Sequence, residues 1–521
     1  MIIISDTKQE PSAGNQVSNA TTAAGAGAAA SIQNPATQIR EAADAFSSHP
    51  VPGAPQPPPT YRSYPRHQSR SLFSATTTPA YRRSPFCRFA KAFSIAFALY
   101  LLIITAARST IHMAFRSVGG HSPDHLYHDR YASYQHRCSG PMVGIPNPED
   151  GTILHRIDSA NWAHYESNPT WPTPPRPQFN YPYGAQTTFM LPVDADSLYL
   201  IARGAYQHGK VKLRQSDSVE SGSVRVDVRA AYYDQRALAR VTLCKFSRTD
   251  NEHGIGIYTP QLGWTDNYKD QVQFLVTFTF PVAPVPGVPL HIRRFDADTS
   301  QFSYSVGDLW ESMLFDDVVL GTSNSHINVT SIALKNGSFR SSNGYIAGHY
   351  NASGSLKLTT SNGKIKATVS LLNERTLATE LDMQTTNSLI QSEVTLNTPS
   401  NTGGAFEVFA RTSNSPISLR YADSPFDSFL ASSAITSNSD ACVKMHNTFE
   451  GSFELTTSNS STSLKVRRGD VDPTGRGRQR MVAQHKIGNI TSGTVFWGSG
   501  VRYPRGSTSV RSSNGRVSLE V

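Results

Sequence analysis

The sequence predicts an all-β protein that is anchored by one membrane-spanning helix, and three observations lead to this prediction. Apolar and polar residues alternate along much of residues 184–521, as in strands with one buried face. A short Thr/Ser-Ser-Asn turn recurs through residues 321–521. The uncharged run AFSIAFALYLLIITAA, residues 92–107, has the composition of a helix inside a bilayer.

The first ninety residues predict a disordered cytosolic tail. Residues 1–60 are rich in Ala, Ser, Thr, Gln and Pro and show little apolar periodicity, so they cannot bury enough surface to offset the entropy of ordering. Within the tail, Pro58, Pro59 and Tyr61 form a P-P-x-Y match, the ligand type of WW domains. A WW-domain protein is therefore a candidate partner, and an ordinary Pro-rich linker is the alternative.

Residues 91–108 predict a signal-anchor helix. Its uncharged part is about 24 Å long as a helix, so Lys91 and Arg108 would extend toward the polar headgroups to match a bilayer core of about 30 Å. More basic residues precede the helix than follow it closely, which places the N-terminus in the cytosol and the larger C-terminal part in the lumen or outside. A buried core helix is the alternative. Cys87, beside the cytosolic face, is a candidate palmitoylation site.

Residues 109–183 predict a stalk or linker. They include NPTWPTPPRPQFNYPYG, and this density of Pro argues against helices and central strands. The stalk would hold the β domain away from the membrane.

Residues 184–521 predict the β domain, with lead-in strands in residues 184–320 and repeats in residues 321–521. The recurrence of the turn along residues 321–521 predicts repeated units that stack on one another. We expect an elongated β-solenoid in which each Ser-Asn turn is a corner, and the alternative is a β-sandwich in which each turn closes a hairpin. The turns are centred on Asn324, Asn343, Asn362, Asn387, Asn414, Asn459 and Asn514.

The repeated unit (T/S)-S-N-(G/S)-x-(I/V/L) resembles the repeats of adhesin-type β-solenoid domains. Together with LPVDADSLYLIARGAYQHGKVKLRQSD, GIGIYTP and VFWGSG, it is similar to a group of uncharacterised fungal membrane-anchored proteins. The resemblance covers residues 184–521 and implies a fold and an adhesin-like role, with no established activity.

N-glycosylation is expected in the β domain, because its sequons lie on the side of the membrane that we predict to be lumenal. An Asn-x-Ser/Thr sequon is an acceptor only in that compartment. The candidate sites are Asn328, Asn336, Asn351, Asn459 and Asn489.

The cysteines predict at most one disulfide in the lumenal part. Cys138, Cys244 and Cys442 would lie in the oxidising compartment, so one pair can form and one thiol is left over. We favour Cys244 with Cys442, because both lie in the β region.

The function that this sequence favours is a non-enzymatic surface or lumenal protein that binds glycan or protein partners or has a structural role. No catalytic residues, metal ligands or cofactor motif are expected, and no two acidic residues of the repeats stack on one face. The net charge of +9 comes from scattered basic residues without a nucleic-acid-binding motif, so nucleic acid is not an expected partner. Wall glycan, a surface protein or, through an exposed end strand, a second copy are the expected partners.

Two other functions stay open at this point. Parallel β-helices also carry polysaccharide-active enzymes, which would need paired carboxylates. A trafficking adaptor would act through the P-P-x-Y segment of the tail, while the β domain would recognise cargo.

Overall fold

The computed structural model describes residues 144–157, 161–166, 181–260, 268–374, 376–467, 469–498 and 505–521. The predicted tail and signal-anchor helix lie outside these ranges, and so do Pro58, Pro59, Tyr61 and Cys87. Among the described residues, none of the helices combines the length and the apolar character that crossing a bilayer requires.

The described part of the chain is all-β, as predicted. Twenty-seven strands join into one sheet, and the α-helix α1 is only the four residues Gln235–Leu238. Two 3-10 turns complete the regular structure, Pro148–Asp150 and Tyr268–Asp270.

The lead-in strands are mostly antiparallel to one another. β1 pairs with β7 and β7 with β8, while β2, β3, β6 and β9 pair in that order. Every residue of β9 is buried, including the polar Gln273, Thr277 and Thr279. These strands are β1 (Thr152–Ile157), β2 (Ala163–Glu166), β3 (Tyr183–Pro192), β4 (Ser197–Arg203), β5 (Gln207–Gln215), β6 (Ser223–Tyr232), β7 (Thr242–Ser247), β8 (Glu252–Tyr258) and β9 (Val272–Phe280).

The later strands alternate buried and exposed side chains, so each has one face in the core. In β15, for example, Ile365, Ala367, Val369 and Leu371 are buried. The strands up to the middle of the repeats are β10 (Leu290–Thr299), β11 (Phe302–Asp308), β12 (Met313–Gly321), β13 (Ile327–Arg340), β14 (Ile346–Thr359), β15 (Ile365–Leu372), β16 (Thr379–Gln384), β17 (Ile390–Asn397), β18 (Ala405–Arg411) and β19 (Ile417–Asp423). The remaining strands are β20 (Phe429–Thr436), β21 (Ala441–Lys444), β22 (Gly451–Thr457), β23 (Thr462–Lys465), β24 (Arg480–Ile487), β25 (Ile490–Trp497), β26 (Gly506–Ser512) and β27 (Val517–Glu520).

These strands form two parallel ladders. The first ladder is β5-β11-β13-β14-β15-β17-β19-β21-β27-β23, and the second is β4-β10-β12-β13-β14-β16-β18-β20-β26-β22. β13 and β14 have fourteen residues each, and each contributes one half to either ladder. This sharing joins the two ladders into one sheet.

The strands on the two sides of a Ser-Asn turn do not form a hairpin. β14 and β15 flank Asn362, and they pair in parallel, with Ile346 beside Ile365. The hairpin interpretation of this turn is therefore wrong. The register stacks one buried apolar residue of each repeat on the next, and this row runs through Ile327, Ile346, Ile365, Ile390, Ile417, Ala441 and Val517.

The last two strands lie inside the stack and not at its end. β27 is placed between β21 and β23, and β26 is placed between β20 and β22. The second ladder then continues beyond β22 through the antiparallel strands β25 and β24. The C-terminal residues 505–521 thus fill a position that the chain has left open between earlier strands.

Candidate functional site

The first residue of the repeated turn is a buried Thr or Ser whose hydroxyl joins two repeats. Thr360 accepts a hydrogen bond from the Gly363 backbone N–H at 3.1 Å and donates one to the Gly344 carbonyl of the preceding turn at 3.1 Å. A buried hydroxyl that both donates and accepts a hydrogen bond has little free-energy penalty for burial. This explains why the motif keeps a small polar residue there. The buried residues at this position are Thr322, Ser341, Thr360, Thr385, Thr412, Thr436, Thr457 and Ser512.

The asparagines of the turns form a continuous side-chain ladder. In each step an amide Nδ2 donates to the Oδ1 of the neighbouring asparagine, at 2.6–2.8 Å. The order in space is Asn324, Asn343, Asn362, Asn387, Asn414, Asn438, Asn514 and Asn459. We call these eight residues the asparagine edge.

Sequence reasoning missed one member of the asparagine edge and the order of two others. Asn438 lies in TSNSDACV, which carries the same Thr-Ser-Asn-Ser signal as the other turns. Asn514 lies between Asn438 and Asn459, because β27 is inserted between β21 and β23. The spacing of turns along the chain cannot show such an insertion.

The asparagine edge presents a regular row of amides to solvent. All eight residues are exposed. A primary amide has two N–H donors and a carbonyl oxygen with two lone pairs, and the ladder uses one donor and one lone pair of each inner residue. The remaining donors and acceptors recur at the strand spacing, about 4.8 Å. This arrangement can hydrogen-bond an extended ligand with repeated polar groups.

Aromatic and basic side chains lie beside the first rungs of the asparagine edge. The rings of His326 and Tyr345 stack at a centroid distance of 4.8 Å with an interplanar angle of 7°. Lys364 places its Nζ 5.8 Å from the centre of the Tyr345 ring. Burial, together with the charge of Lys210, lowers the pKa of His326 and so favours the neutral imidazole. The edge is thus flanked by apolar ring surface.

Two carboxylates of the repeats do stand side by side, contrary to the expectation. Glu380 on β16 is the register partner of Glu407 on β18, and both side chains point away from the core. The sequence carried a signal for this pair, because the two are 27 residues apart, as are Asn387 and Asn414. The described residues contain no group of three or more His, Cys, Asp or Glu side chains arranged to hold a metal ion.

The predicted glycosylation sites differ in their surroundings. Asn328 on β13 is exposed, whereas Asn336 is half-buried and hydrogen-bonds both Asp317 and Ser355. Asn351 is half-buried as well. The other two sites are exposed but engaged, Asn459 as the last rung of the asparagine edge and Asn489 as a donor to the Ser458 carbonyl.

The predicted disulfide between Cys244 and Cys442 is wrong. Cys244 is buried in β7, Cys442 is exposed on β21, and no bond joins them. Many strands of the sheet separate β7 from β21, whereas a disulfide needs Cα atoms within about 7 Å.

Comparisons with known proteins give two weak structural likenesses. A "putative cell adhesion protein" from Clostridium sporogenes has a TM-score of 0.13 and 8% identity, over 65% of this chain and 99% of that one. A "putative adhesin" from Bacteroides fragilis has a TM-score of 0.23 and 8% identity, over 64% of this chain and 96% of that one. Such low scores support no assignment. No family model and no curated protein matches the sequence.

Proposed function

We propose that this protein is a non-enzymatic, membrane-anchored adhesin-like protein whose β domain binds an extended glycan along the asparagine edge. One helix anchors the chain, with the tail in the cytosol and the β domain in the secretory lumen or on the cell surface. The observation that carries the proposal is the uninterrupted row of eight exposed amides.

The two parallel ladders support a β-solenoid as the scaffold of this domain. Their strands follow one another in parallel register, and the turns between them align the asparagines. Stacked repeats of this kind present long regular surfaces, which suit extended partners better than small ones.

The chemistry of the asparagine edge favours a polyhydroxylated ligand over a charged one. Sugar hydroxyls donate and accept hydrogen bonds, and primary amides offer both functions at every rung. Several charges of the outer strand faces are already paired between neighbouring strands, such as Arg420 with Glu393 and Lys357 with Asp382. A nucleic acid would instead need a stripe of unpaired cations.

Binding of the full-length protein to particulate cellulose, chitin and β-1,3-glucan tests the proposal. We expect depletion of the protein by at least one of these polymers, weakened by Asn387→Ala in the middle of the asparagine edge. Lys366→Ala, on the exposed face of β15, is the matched control and should leave binding unchanged. Absence of binding to all polymers by a folded protein would overturn the glycan assignment.

A polysaccharide-active enzyme is the second candidate, and the Glu380–Glu407 pair favours it. Neighbouring strands lie about 4.8 Å apart, close to the carboxyl separation of retaining glycosidases, about 5–5.5 Å. However, Glu380 is exposed, whereas the acid of such a pair needs burial to raise its pKa.

Release of reducing ends from the bound polymer separates the two functions. We expect no release by the wild-type protein. Cleavage that disappears in both Glu380→Gln and Glu407→Gln would establish the enzyme and refute the non-enzymatic assignment.

A further inference from the structure

A cavity lies at the beginning of the asparagine edge. Its volume is about 250 Å³, and it is formed by the end of β4, the start of β5 and the turn between β10 and β11. Arg203, Gln207, Ser300, Gln301 and Phe302 are among the residues that line it. The backbone N–H of Asn324 donates a hydrogen bond to the Ser300 carbonyl of the same turn at 3.1 Å. The cavity therefore adjoins the first rung of the asparagine edge.

Gln301 continues the row of amides into this cavity. Tyr304 pairs with Ile327, and three residues before each of them stand Gln301 and Asn324. The register offset is 23 residues on both sides of the turn, so Gln301 holds the place that Asn324 holds in the next repeat. Gln301 is exposed, and its side chain is one methylene longer than that of asparagine.

The turn between β4 and β5 is longer than the neighbouring turn between β10 and β11, and this difference in length leaves room for the cavity. Ala202 pairs with Thr299 and Gly209 with Phe302, so six residues separate Ala202 from Gly209 where two residues separate Thr299 from Phe302. Gly204 in this longer turn has φ +117°, and a Cβ there would lie 2.2 Å from the Thr259 carbonyl oxygen. The longer turn therefore requires glycine and does not follow the path of the Ser-Asn turns.

One buried polar group at the cavity lacks a hydrogen-bond donor in the described part of the chain. Gln207 is 3% exposed, and its buried Oε1 has no hydrogen-bond partner among the described residues. Leaving such an acceptor unpaired costs about 1–3 kcal/mol, so a ligand that donates to it is stabilised by that difference. The terminal torsion of a glutamine is soft, so the amide can turn its oxygen into the cavity.

The surrounding residues select the class of donor. Arg203 is 49% exposed and binds the buried Asp150 at 2.6 Å, and its positive charge disfavours an ammonium group nearby. A hydroxyl is the neutral donor that also accepts from a guanidinium.

We propose that this cavity binds the terminal sugar residue of the glycan chain that lies along the asparagine edge, with a hydroxyl donating to Gln207 Oε1. The inference rests on the proposed glycan binding and adds chain-end recognition to it. The size is appropriate for one sugar ring, because the volume of about 250 Å³ lies just below the usual range of drug-sized sites, about 300–1,000 Å³.

Calorimetric titration of the full-length protein with sugars tests this site. The probes are methyl glycosides of glucose, mannose, galactose and N-acetylglucosamine, and short oligomers of the polymer that the protein binds. We expect Gln207→Leu to weaken binding of the short ligands about tenfold, which corresponds to one lost hydrogen bond. Its thermal stability should equal or exceed that of the wild type, because it removes an unpaired buried acceptor. Asn387→Ala should weaken polymer binding and leave the short ligands unaffected.

The other outcomes distinguish glycan binding along the asparagine edge from sugar binding in the cavity. Polymer and short-ligand binding that Gln207→Leu does not change would overturn the cavity site and leave the asparagine edge intact. Short-ligand binding that depends on Gln207 without polymer binding would overturn the proposed function and support the cavity as a sugar site. A folded protein that binds none of the probes would overturn both.

Discussion

At the scale of single residues, the side-chain amide of Asn387 connects three repeats. It donates to Asn362 at 2.7 Å and accepts from Asn414 at 2.6 Å. Asn324, at the end of the asparagine edge, makes one such bond, to Asn343. Position in the ladder thus decides how many hydrogen bonds a substitution removes.

Asn387→Ala should lower the free energy of unfolding by about 1–3 kcal/mol, because it removes two hydrogen bonds worth roughly 0.5–1.5 kcal/mol each. Asn324→Ala is the matched control and should cost about half as much. Urea unfolding followed by circular dichroism measures both. Equal losses for the two variants would contradict a ladder in which inner rungs contribute twice.

At the scale of elements, the inserted strand β27 is held by charge on both sides. The Glu520 carboxylate forms ion pairs with the Nζ of Lys444 on β21 at 2.8 Å and with the Nζ of Lys465 on β23 at 3.0 Å. The hydrogen bonds from these two ammonium groups lower the pKa of Glu520 to about 2. A single carboxylate therefore ties the C-terminal strand to both of its neighbours.

Glu520→Gln should destabilise the protein at pH 7, because Lys444 and Lys465 would then face each other without a counter-charge. The native carboxylate has the lowered pKa, so its stabilisation is complete above its ordinary value of 4.5 and is lost as the pH falls to about 2. The difference in unfolding free energy between wild type and variant should shrink over that interval.

Unfolding measured at a series of pH values follows this difference. Glu393→Gln, which removes an exposed ion pair with Arg420 at 3.7 Å, is the control and should change stability less at pH 7. A Glu520→Gln difference that stays constant down to pH 2 would show that the ion pairs do not hold β27.

At the scale of the whole molecule, the proposed topology places the sequons in the secretory lumen. Asn328 is exposed on β13, whereas the amide of Asn336 is used by Asp317 and Ser355. A glycan needs an accessible Nδ2, so these two sites should differ in use.

Enzymatic removal of N-glycans from the full-length protein, expressed in eukaryotic cells, should increase its gel mobility in steps. Asn328→Gln should remove one step, and Asn336→Gln should remove none. Protease protection of tags at the two termini provides the independent check of orientation. Protection that places the β domain in the cytosol would refute the anchor topology and the surface-facing role together.

The sequence by itself determined the all-β class and the positions of most Ser-Asn turns, because alternation and turn chemistry are local properties. It also carried the signals for Asn438 and for the Glu380–Glu407 pair in spacings that match the repeat. It did not determine where the C-terminal strands join the stack, since that depends on contacts between segments that are distant along the chain.

Only the tertiary structure decided that strands flanking a turn pair in parallel and that β26 and β27 insert between earlier strands. It also separated Cys244 from Cys442 and set the buried acceptor of Gln207 beside the first rung of the asparagine edge. The physical reason is that hydrogen-bonding strand edges are alike along the chain, so packing of the whole stack selects the partner of each.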